Sequence, residues 1–594
     1  MNGSDLIVKF FEIKKITECY MVTGGGAMFL NDAFGRSKQI KTIYNLHEQG
    51  CAMAALGSTK LSNSPALVVP TTGCGGTNTI TGLLDAWQDS NPVIFISGNV
   101  KQSECTIVDK LNLRKKGVQE ANIIEIVKSI TKYSAFPKNI NELINSLNEA
   151  FFHATNGRPG PVWIDVPMDV QSLVIENFNF DLLINDYNLN SQINFDQEDN
   201  SILNKYIKES KKPLVLAGYG IHLSGQKNEF KNFILKHNLP YVSTYLGIDY
   251  FPTKNDNFIG RLGTKGERAG NFAVNHADLL IVLGSSLNIT VTGFQYEHFA
   301  KNAKIIIIDI DDQESKKNNI HFDLLINKDL KSFFKNVNLN FNDFKSWKSL
   351  CVSWKLKWPT FTQNYYNTEN GVNMYLVLEM LHSVRKEKTI YVSDAGSAYY
   401  VTSQSLKLSE GDRYITSGAQ ADMGFTIPAS IGAAVNSKGL KTVIGITGDG
   451  SFQMNIQELA VIKGLELNIK IIVLNNKGYL SIRNTQDRFF DSRYFGTDES
   501  SDLFLPDTKR VANCYKIDYV KVSSYKQLDE LEKIVNNKGP AIIEFDCPKM
   551  QELIPASSTK KLKDGSFKSP PLDDMYPFLD ENIINEEKLK LKKI

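Results

Sequence analysis

Gly448-Asp449-Gly450-Ser451 closes an apolar run, Ile444-Gly445-Ile446-Thr447, and opens a helical pattern through Ile456, Leu459, Ala460 and Ile462. Glycines at such a strand-to-helix turn let backbone N–H groups approach phosphate oxygens, and the helix start adds a favourable dipole. Asn475-Asn476 ends the next apolar run, Lys470-Ile471-Ile472-Val473-Leu474. A diphosphate needs a divalent cation, and hard Mg²⁺ selects oxygen ligands. Asp449 can supply a carboxylate, with an amide oxygen from Asn476 beside it. Alone, a GDG turn is an ordinary strand–turn–helix corner. The strand, helix, strand and Asn-Asn in register make it a candidate diphosphate and metal site. A second charged residue, Glu48 in Tyr44-Asn45-Leu46-His47-Glu48-Gln49-Gly50, precedes a helical run with small residues that permit close approach. In isolation, a glutamate there is a favourable N-terminal charge.

Parallel α/β units must position these groups, because short apolar runs alternate with helical patterns along most of the chain. In the first third, Ala66–Val69, Val93–Ile96 and Val162–Val166 read as buried strands, after an amphipathic helix from Leu6 to Cys19. The polar stretch Asn188–Asn200 reads as a linker. The middle third repeats the pattern at Leu214–Ala217, Leu279–Leu283 and Ile305–Asp309, with a second break near Asn338–Lys348. The last third adds Thr389–Val392, Thr442–Ile446, Lys470–Leu474 and Ala541–Phe545. After Pro548 the chain turns polar, with Asp564-Gly565-Ser566 and Ser569-Pro570-Pro571, and reads as a tail, ordered or mobile.

At 594 residues the chain is too long for one core. Its 67 basic and 65 acidic residues give a net charge of +2, which asks for neither nucleic acid nor an anionic membrane as a partner. No apolar run approaches the ~20 residues that span a bilayer, and no signal peptide pattern opens the chain. The seven cysteines are scattered without a CxxC pair, so we expect a cytoplasmic protein with neither disulfides nor structural zinc.

GDG followed at this interval by Asn-Asn is the signature of thiamine diphosphate enzymes, and the chain resembles that family. TSGAQADMGFTIPASIGAAV at 416–435 and GRPGPVWIDVPMDVQ at 157–171 are similar to its acetolactate synthase branch. The likeness runs from Met1 to about Pro548, with the motifs in family order. It implies three doubly wound parallel-sheet domains: pyrimidine-binding (1–188), central and nucleotide-binding-like (189–345), and diphosphate-binding (346–548), before a tail (549–594). It implies that Asp449, Asn476 and the Gly478 carbonyl hold Mg²⁺. Gly448, Gly450, Ser451 and Tyr479 then belong to the thiamine diphosphate cradle, and Gly396, Ser397, Ala398 and Tyr399 fall at a second diphosphate contact. Met423 matches the bulky residue beneath the cofactor that bends it into a V, although alone it would be core. The Ala421 carbonyl matches the acceptor for the 4′-amino group. Gly25, Gly26, Thr72 and Asn78 are carried over as N-terminal cofactor contacts, and Gly73–Asn78 resembles the family's SGPGATN loop. Gln119 aligns with the family's FQE and is expected to face the substrate.

Thiamine chemistry needs a carbanion at the thiazolium C2, which a carboxyl group promotes by exchanging a proton with the pyrimidine N1′. That carboxyl must face the pyrimidine, away from the metal, and Glu48 matches the family's catalytic glutamate. Family sites form between subunits, so the resemblance implies a homodimer or homotetramer. An inactive paralogue would be expected to lose Glu48 or the metal ligands, and neither is lost.

Simple 2-oxoacid decarboxylases carry a His-His pair where this chain, from Asn99 to Ala121, has no histidine. The expected reaction is therefore decarboxylation of a 2-oxoacid, pyruvate first, with carboligation to a second carbonyl compound. Nonoxidative decarboxylation is the alternative. The family's flavin-binding text GVRFDDRVTG stands here as Gly284-Ser285-Ser286-Leu287-Asn288-Ile289-Thr290-Val291-Thr292-Gly293, without either arginine or either aspartate. FAD thereby loses its expected partners, leaving another adenine nucleotide or no central ligand. Met168 replaces a family lysine, and Thr485 stands where biosynthetic acetolactate synthases carry the acceptor-selecting Trp. These losses, with the divergent tail, point to a larger acceptor such as a keto-sugar nucleotide.

Overall fold

The computed structural model describes residues 1–109, 113–176, 179–183, 194–317, 320–367, 369–561, 567–568 and 570–594. Three six-stranded sheets, parallel throughout, carry the fold. The first contains β1 (Glu18–Met21), β2 (Lys41–Tyr44), β3 (Ala66–Val69), β4 (Val93–Asn99), β5 (Tyr133–Ala135) and β6 (Val162–Pro167), in the order β2-β1-β3-β4-β6-β5. The second contains β7 (Pro213–Ala217), β8 (Tyr241–Ser243), β9 (Phe258–Arg261), β10 (Leu279–Leu283), β11 (Lys304–Asp309) and β12 (Leu324–Asn327), ordered β12-β11-β10-β7-β8-β9. The third contains β13 (Thr389–Ser393), β14 (Arg413–Thr416), β15 (Thr442–Gly448), β16 (Ile469–Asn475), β17 (Asp518–Val522) and β18 (Ala541–Asp546), ordered β14-β13-β15-β16-β18-β17. Counted from its own first strand, the third sheet repeats the order of the first. The inner strands are buried along both faces, which is why they are continuous apolar runs without alternation.

The first and third domains meet through two helices, Glu48–Ser62 and Thr426–Asn436. Small residues bring their backbones together. A Cβ at Gly57 would lie 2.1 Å from the Ala429 carbonyl oxygen, and one at Gly432 would lie 1.8 Å from that of Ala54. Both helices are buried on nearly every face, so neither shows a narrow apolar stripe. A buried polar clasp adds the central domain. Arg413 bonds Asp249, His222 Nε2 (2.8 Å) and the Lys60 carbonyl (2.8 Å), while Asn63 Nδ2 donates to the His222 carbonyl (2.6 Å).

Four expectations change. The first helix spans Gly3–Ile13 only; Lys15 turns at φ +59°, and Cys19 belongs to β1. Within the expected linker, 188–193 lie outside the described residues, and Gln197–Asn200 already form a helical turn, capped by Asp196. The 345/346 boundary falls inside the helix Lys345–Lys357, whose Trp347, Leu350 and Trp354 pack into the central core. The helical pattern after Gly448 forms three short pieces, Asp449–Phe452, Ile456–Glu458 and Leu459–Gly464.

The described part of the tail first runs along the third domain, where Gln551 accepts from the Met374 N–H (2.9 Å) and the Pro555 carbonyl from Gln404 Nε2 (2.7 Å), and then folds back onto the central domain. Arg268 donates to the carbonyls of Met575 (3.1 Å) and Pro577 (2.6 Å), and Asn275 donates to Asp573 (2.9 Å). The final helix, Glu581–Leu591, buries Glu587 against Trp354 Nε1 (2.8 Å) and Lys357 (2.7 Å). Asp564-Gly565-Ser566 and Ser569 lie outside the described residues.

Candidate active site

In the third sheet, β13 runs into Asp394 while its neighbour β15 ends in Gly448. Their connections leave in opposite directions, and open α/β sheets bind ligands at such a reversal. Asp449 opens its helix there and is 5% exposed. Its Oδ1 accepts from the Gly450 N–H (2.8 Å) and its Oδ2 from the Gly478 N–H (2.9 Å). Burial nonetheless pushes the carboxyl up to about 6. Buried Asn476 follows β16 directly. Gly478 has φ +126°, and a Cβ there would stand 1.9 Å from the Thr497 carbonyl oxygen, so only glycine fits the turn. Buried Arg483 braces this turn from behind, donating to the carbonyls of Asn476 (2.8 Å), Lys477 (3.0 Å) and Lys549 (2.7 Å). The Tyr479 ring covers Gly450, whereas Gly448 faces open space.

Asp394, passed over in the sequence, joins these turns. Fully buried, it accepts from Thr447 Oγ1 (2.7 Å) and Ser451 Oγ (2.6 Å). Ser451 Oγ accepts from the Gly424 N–H (2.7 Å), next to Met423. Ala421 holds φ +54°, a strained conformation for a residue with a Cβ. Its loop is anchored from the first domain, because the N–H groups of Gly418 and Ala419 donate to Asp89 (2.7 and 3.0 Å). Buried Lys60 is the counter-ion to Asp89 and Asp85. Asp394, Asp89 and Glu458 are the important groups that sequence reading missed. A carboxylate directly after a buried strand was the available signal for Asp394, but nothing local marks the other two.

Gly396 (φ +56°) and Ser397 are partly exposed at the start of the helix Gly396–Ser405. Ala398 is buried, so at most its backbone could meet a ligand. Tyr399 is a correction. Its N–H donates to the Ala395 carbonyl (3.2 Å), its hydroxyl donates to that of Gly418 (3.3 Å), and its ring is buried.

The first sheet reverses between β1 and β3, which lead into Gly24-Gly25-Gly26 and Thr71-Thr72-Gly73. Gly25 faces open space, but Gly26 and Thr72 do not. A Cβ at Gly26 would lie 1.7 Å from Thr72 Oγ1, which donates to the Gly98 carbonyl (3.0 Å). These two expected contacts lock the turns to each other. Glu48 is half-buried at the start of its helix, and its Oε2 accepts from Asn78 Nδ2 (3.0 Å). Exposed Gln119 (φ +59°) lies over the same loop, its carbonyl oxygen 2.1 Å from where a Cβ at Gly73 would stand. Among the described residues, no hydrogen bond within the chain joins Glu48 to Asp449, Asn476 or Gly478.

The second sheet reverses between β7 and β10, where a cleft of about 390 Å³ opens towards both other domains. Its loop 284–293 presents Ser285, Ser286 and Asn288. The Arg158 guanidinium is already bound by Asp311 (3.0 Å) and Glu314 (2.6 Å). Asp309 also lines the cleft, and burial pushes its carboxyl up to about 6.

Three parallel α/β domains, each with its crevice at a strand reversal, and an oxygen-donor cluster in the third define a cofactor-binding class of protein. Family models match all three: the N-terminal thiamine pyrophosphate (TPP) binding domain of thiamine pyrophosphate enzymes at residues 1–126, their central domain at 202–337 and their C-terminal TPP binding domain at 394–545. The chain belongs to the thiamine pyrophosphate enzyme family, in its acetolactate synthase-like branch. It is 31% identical over 573 residues to the chloroplastic acetolactate synthase 2 of Nicotiana tabacum, covering 93% of this chain and 83% of that one. It is 32% identical over 560 residues to the acetolactate synthase large subunit of Lactococcus lactis subsp. lactis (strain IL1403), covering 93% and 94%. Among the described residues, no helix is long and apolar enough to cross a membrane.

Proposed function

We propose that this protein is a thiamine diphosphate- and Mg²⁺-dependent enzyme that decarboxylates a 2-oxoacid, pyruvate first, and joins the retained fragment to a second carbonyl compound. The observation that carries this reading is the oxygen cluster at Asp449. A buried carboxyl pushed up to about 6, supported by two backbone N–H groups, is a carboxylate short of positive charge. A hard divalent cation supplies that charge, and the Asn476 amide oxygen and Gly478 carbonyl complete a donor set of the right kind. Gly448 and Gly25 leave room for the cofactor. When bound, thiamine diphosphate supplies the nucleophilic carbon that takes up the 2-oxoacid and stabilises the charge left by loss of CO₂.

In this reading the chain's own groups bind, orient and move protons. Asp449, Asn476 and Gly478 hold Mg²⁺, while Asp394 and Ser451 keep the diphosphate turn in register with the Met423 loop. Glu48 would be the group that gives and takes a proton at the cofactor's pyrimidine ring. In this reading the site is shared between two copies of the chain, as the family resemblance implies. Gln119 lies over the same loop as Glu48's partner Asn78, which supports a substrate-facing role for it.

Little in the central cleft favours FAD, although Lys331 leaves one cation in its lining. The Arg158 guanidinium is taken up by two carboxylates, Asp309 adds further acid, and the serine-bearing loop offers no cation to a flavin dinucleotide's diphosphate. One observation favours a larger acceptor, of the keto-sugar nucleotide class. Tail residues Ser557, Thr559 and Leu572 enclose a cavity of about 220 Å³ with Arg488, at the end of the helix that follows Tyr479. The test is purified protein with Mg²⁺, thiamine diphosphate and pyruvate, followed by CO₂ release and mass spectrometry of the product. Acetolactate or another C–C adduct is expected. Acetaldehyde alone would make the protein a lyase, and absence of CO₂ would remove pyruvate as donor.

A further inference from the structure

Glu458 lies in the diphosphate-binding domain, at the end of the 3₁₀ turn Ile456–Glu458, and is completely buried. Its carboxylate is nevertheless bound by the other domain. It accepts from Asn45 Nδ2 (2.8 Å), the Leu46 N–H (3.1 Å) and the His47 N–H (3.1 Å). These three residues lead directly into Glu48, with His47 as the helix N-cap. Position 50 must leave room for the contact, since a Cβ there would come within 2.5 Å of Glu458 Oε1.

Burying a carboxylate costs far more than capping a helix with a serine or asparagine, so packing alone gives little reason for a glutamate here. Burial raises this carboxyl above its ordinary range, even with the bonds from Asn45, Leu46 and His47. The bonds go to the backbone immediately ahead of Glu48, whose own carboxylate is half-buried and bound by Asn78. The run that carries Glu458 is also tied to the cofactor cradle. Its Asn455 Nδ2 donates to the Gly424 carbonyl (3.0 Å), beside Met423, and lies 3.5 Å from Met53 Sδ on the Glu48 helix.

We infer that Glu458 is a positioning residue for Glu48: it clamps the loop 45–47 and so fixes the helix start from which the catalytic carboxylate projects. This rests on the reading of Glu48 as the proton-exchanging group. It assigns the clamp to a specific charge–backbone contact between domains, distinct from the packing of small residues further along the same helix.

The test compares Glu458→Gln with Glu48→Gln and wild type, all loaded with Mg²⁺ and thiamine diphosphate, by deuterium exchange at the cofactor's C2 position, which needs no substrate. Amide exchange of residues 44–50 is measured in parallel on cofactor-free protein. Glu458→Gln keeps a neutral oxygen for Leu46 and His47 but turns an NH₂ donor towards Asn45 Nδ2; it is expected to bind the cofactor normally, lower amide protection at Leu46 and His47, and slow C2 exchange about 10–100-fold, as small misplacements of catalytic groups do. Wild-type C2 exchange in Glu458→Gln, with Glu48→Gln strongly slowed, overturns the inference and leaves the role of Glu48 standing. Wild-type exchange in both variants overturns the role of Glu48 itself. If Glu458→Gln does not fold, Asn45→Ala removes one clamp bond and is expected to give a smaller loss on both readouts. No change on either overturns the inference.

Discussion

The first and third domains share one strand order and one crevice position, yet they equip that crevice in opposite ways. In the third, Asp449, Asp394 and Asn476 are buried, and hydrogen bonds fix the two carboxylates and the turn that carries Asn476. In the first, the turns hold glycine and threonine, and the one acidic candidate, Glu48, stands half-buried on a helix start beside Asn78. The contrast matches the chemistry proposed for each half. A cation and diphosphate need preorganised, desolvated oxygens and N–H groups. A group that gives and takes a proton needs access and a titratable carboxyl. The central domain has a crevice of the same kind, but Arg158, which reaches it from the first domain, is already taken by the central domain's acids.

Substitutions at the two carboxylates should separate the halves most sharply. Asp449→Asn is expected to abolish Mg²⁺-dependent thiamine diphosphate binding, read by calorimetry. Glu48→Gln should bind the cofactor normally and lose about 10²–10⁴-fold in kcat. If Glu48→Gln instead lost cofactor binding while Asp449→Asn kept it, the assignment of the halves would be reversed.

The clasp between the central and third domains should show in acid. Burial, followed by the neighbouring Arg413, lowers His222 to about 4 in the folded protein, against an ordinary value near 6.5. The unfolded chain therefore takes up a proton first, and stability present above about pH 6.5 is lost as pH falls towards 4. The loss is on the order of 2–4 kcal/mol. Urea melts between pH 7.5 and 4.5 check it, and His222→Gln should flatten that part of the profile.

Ligand-induced stabilisation distinguishes the third crevice from the central one. Thiamine diphosphate with Mg²⁺, at about a hundred times its Kd, should stabilise the protein by about 2.7 kcal/mol and raise Tm accordingly. FAD at the same concentration should leave Tm unchanged. A flavin-dependent rise would contradict the reading of the central cleft.

Two glycines give the finest comparison. Gly432→Ala places a methyl against the Ala54 carbonyl and should cost about 1–3 kcal/mol in a denaturant melt. Gly25→Ala adds a methyl to open space and should leave stability nearly unchanged while weakening cofactor affinity.

Much of this was legible in the sequence. Continuous apolar runs marked the inner strands because a parallel sheet covered on both faces demands them. The GDG-to-Asn-Asn spacing located two turns that meet in the structure, through the Gly478 N–H and Asp449, because each is a short contiguous stretch of backbone. Side-chain direction was not legible: Thr72 and Tyr399 stand in the expected loops but turn into the protein, Thr72 filling the space beside Gly26. Pairings between distant segments were also hidden. Glu458 meets the loop before Glu48 only through the packing of two domains, and Asp89 reaches Gly418 by the same route. The polar tail gave no sign of its docking, which depends on Arg268, Asn275 and Trp354 waiting in the central domain.

The central claim is that Glu48 of one copy serves the Asp449 site of another. Co-expressing Glu48→Gln and Asp449→Asn under different tags, and isolating the mixed dimer, tests it directly. Each parent should be inactive. The mixed dimer pairs intact Glu48 with intact Asp449 at one of its two sites and should recover about half the wild-type activity. A mixed dimer as inactive as its parents would contradict the account.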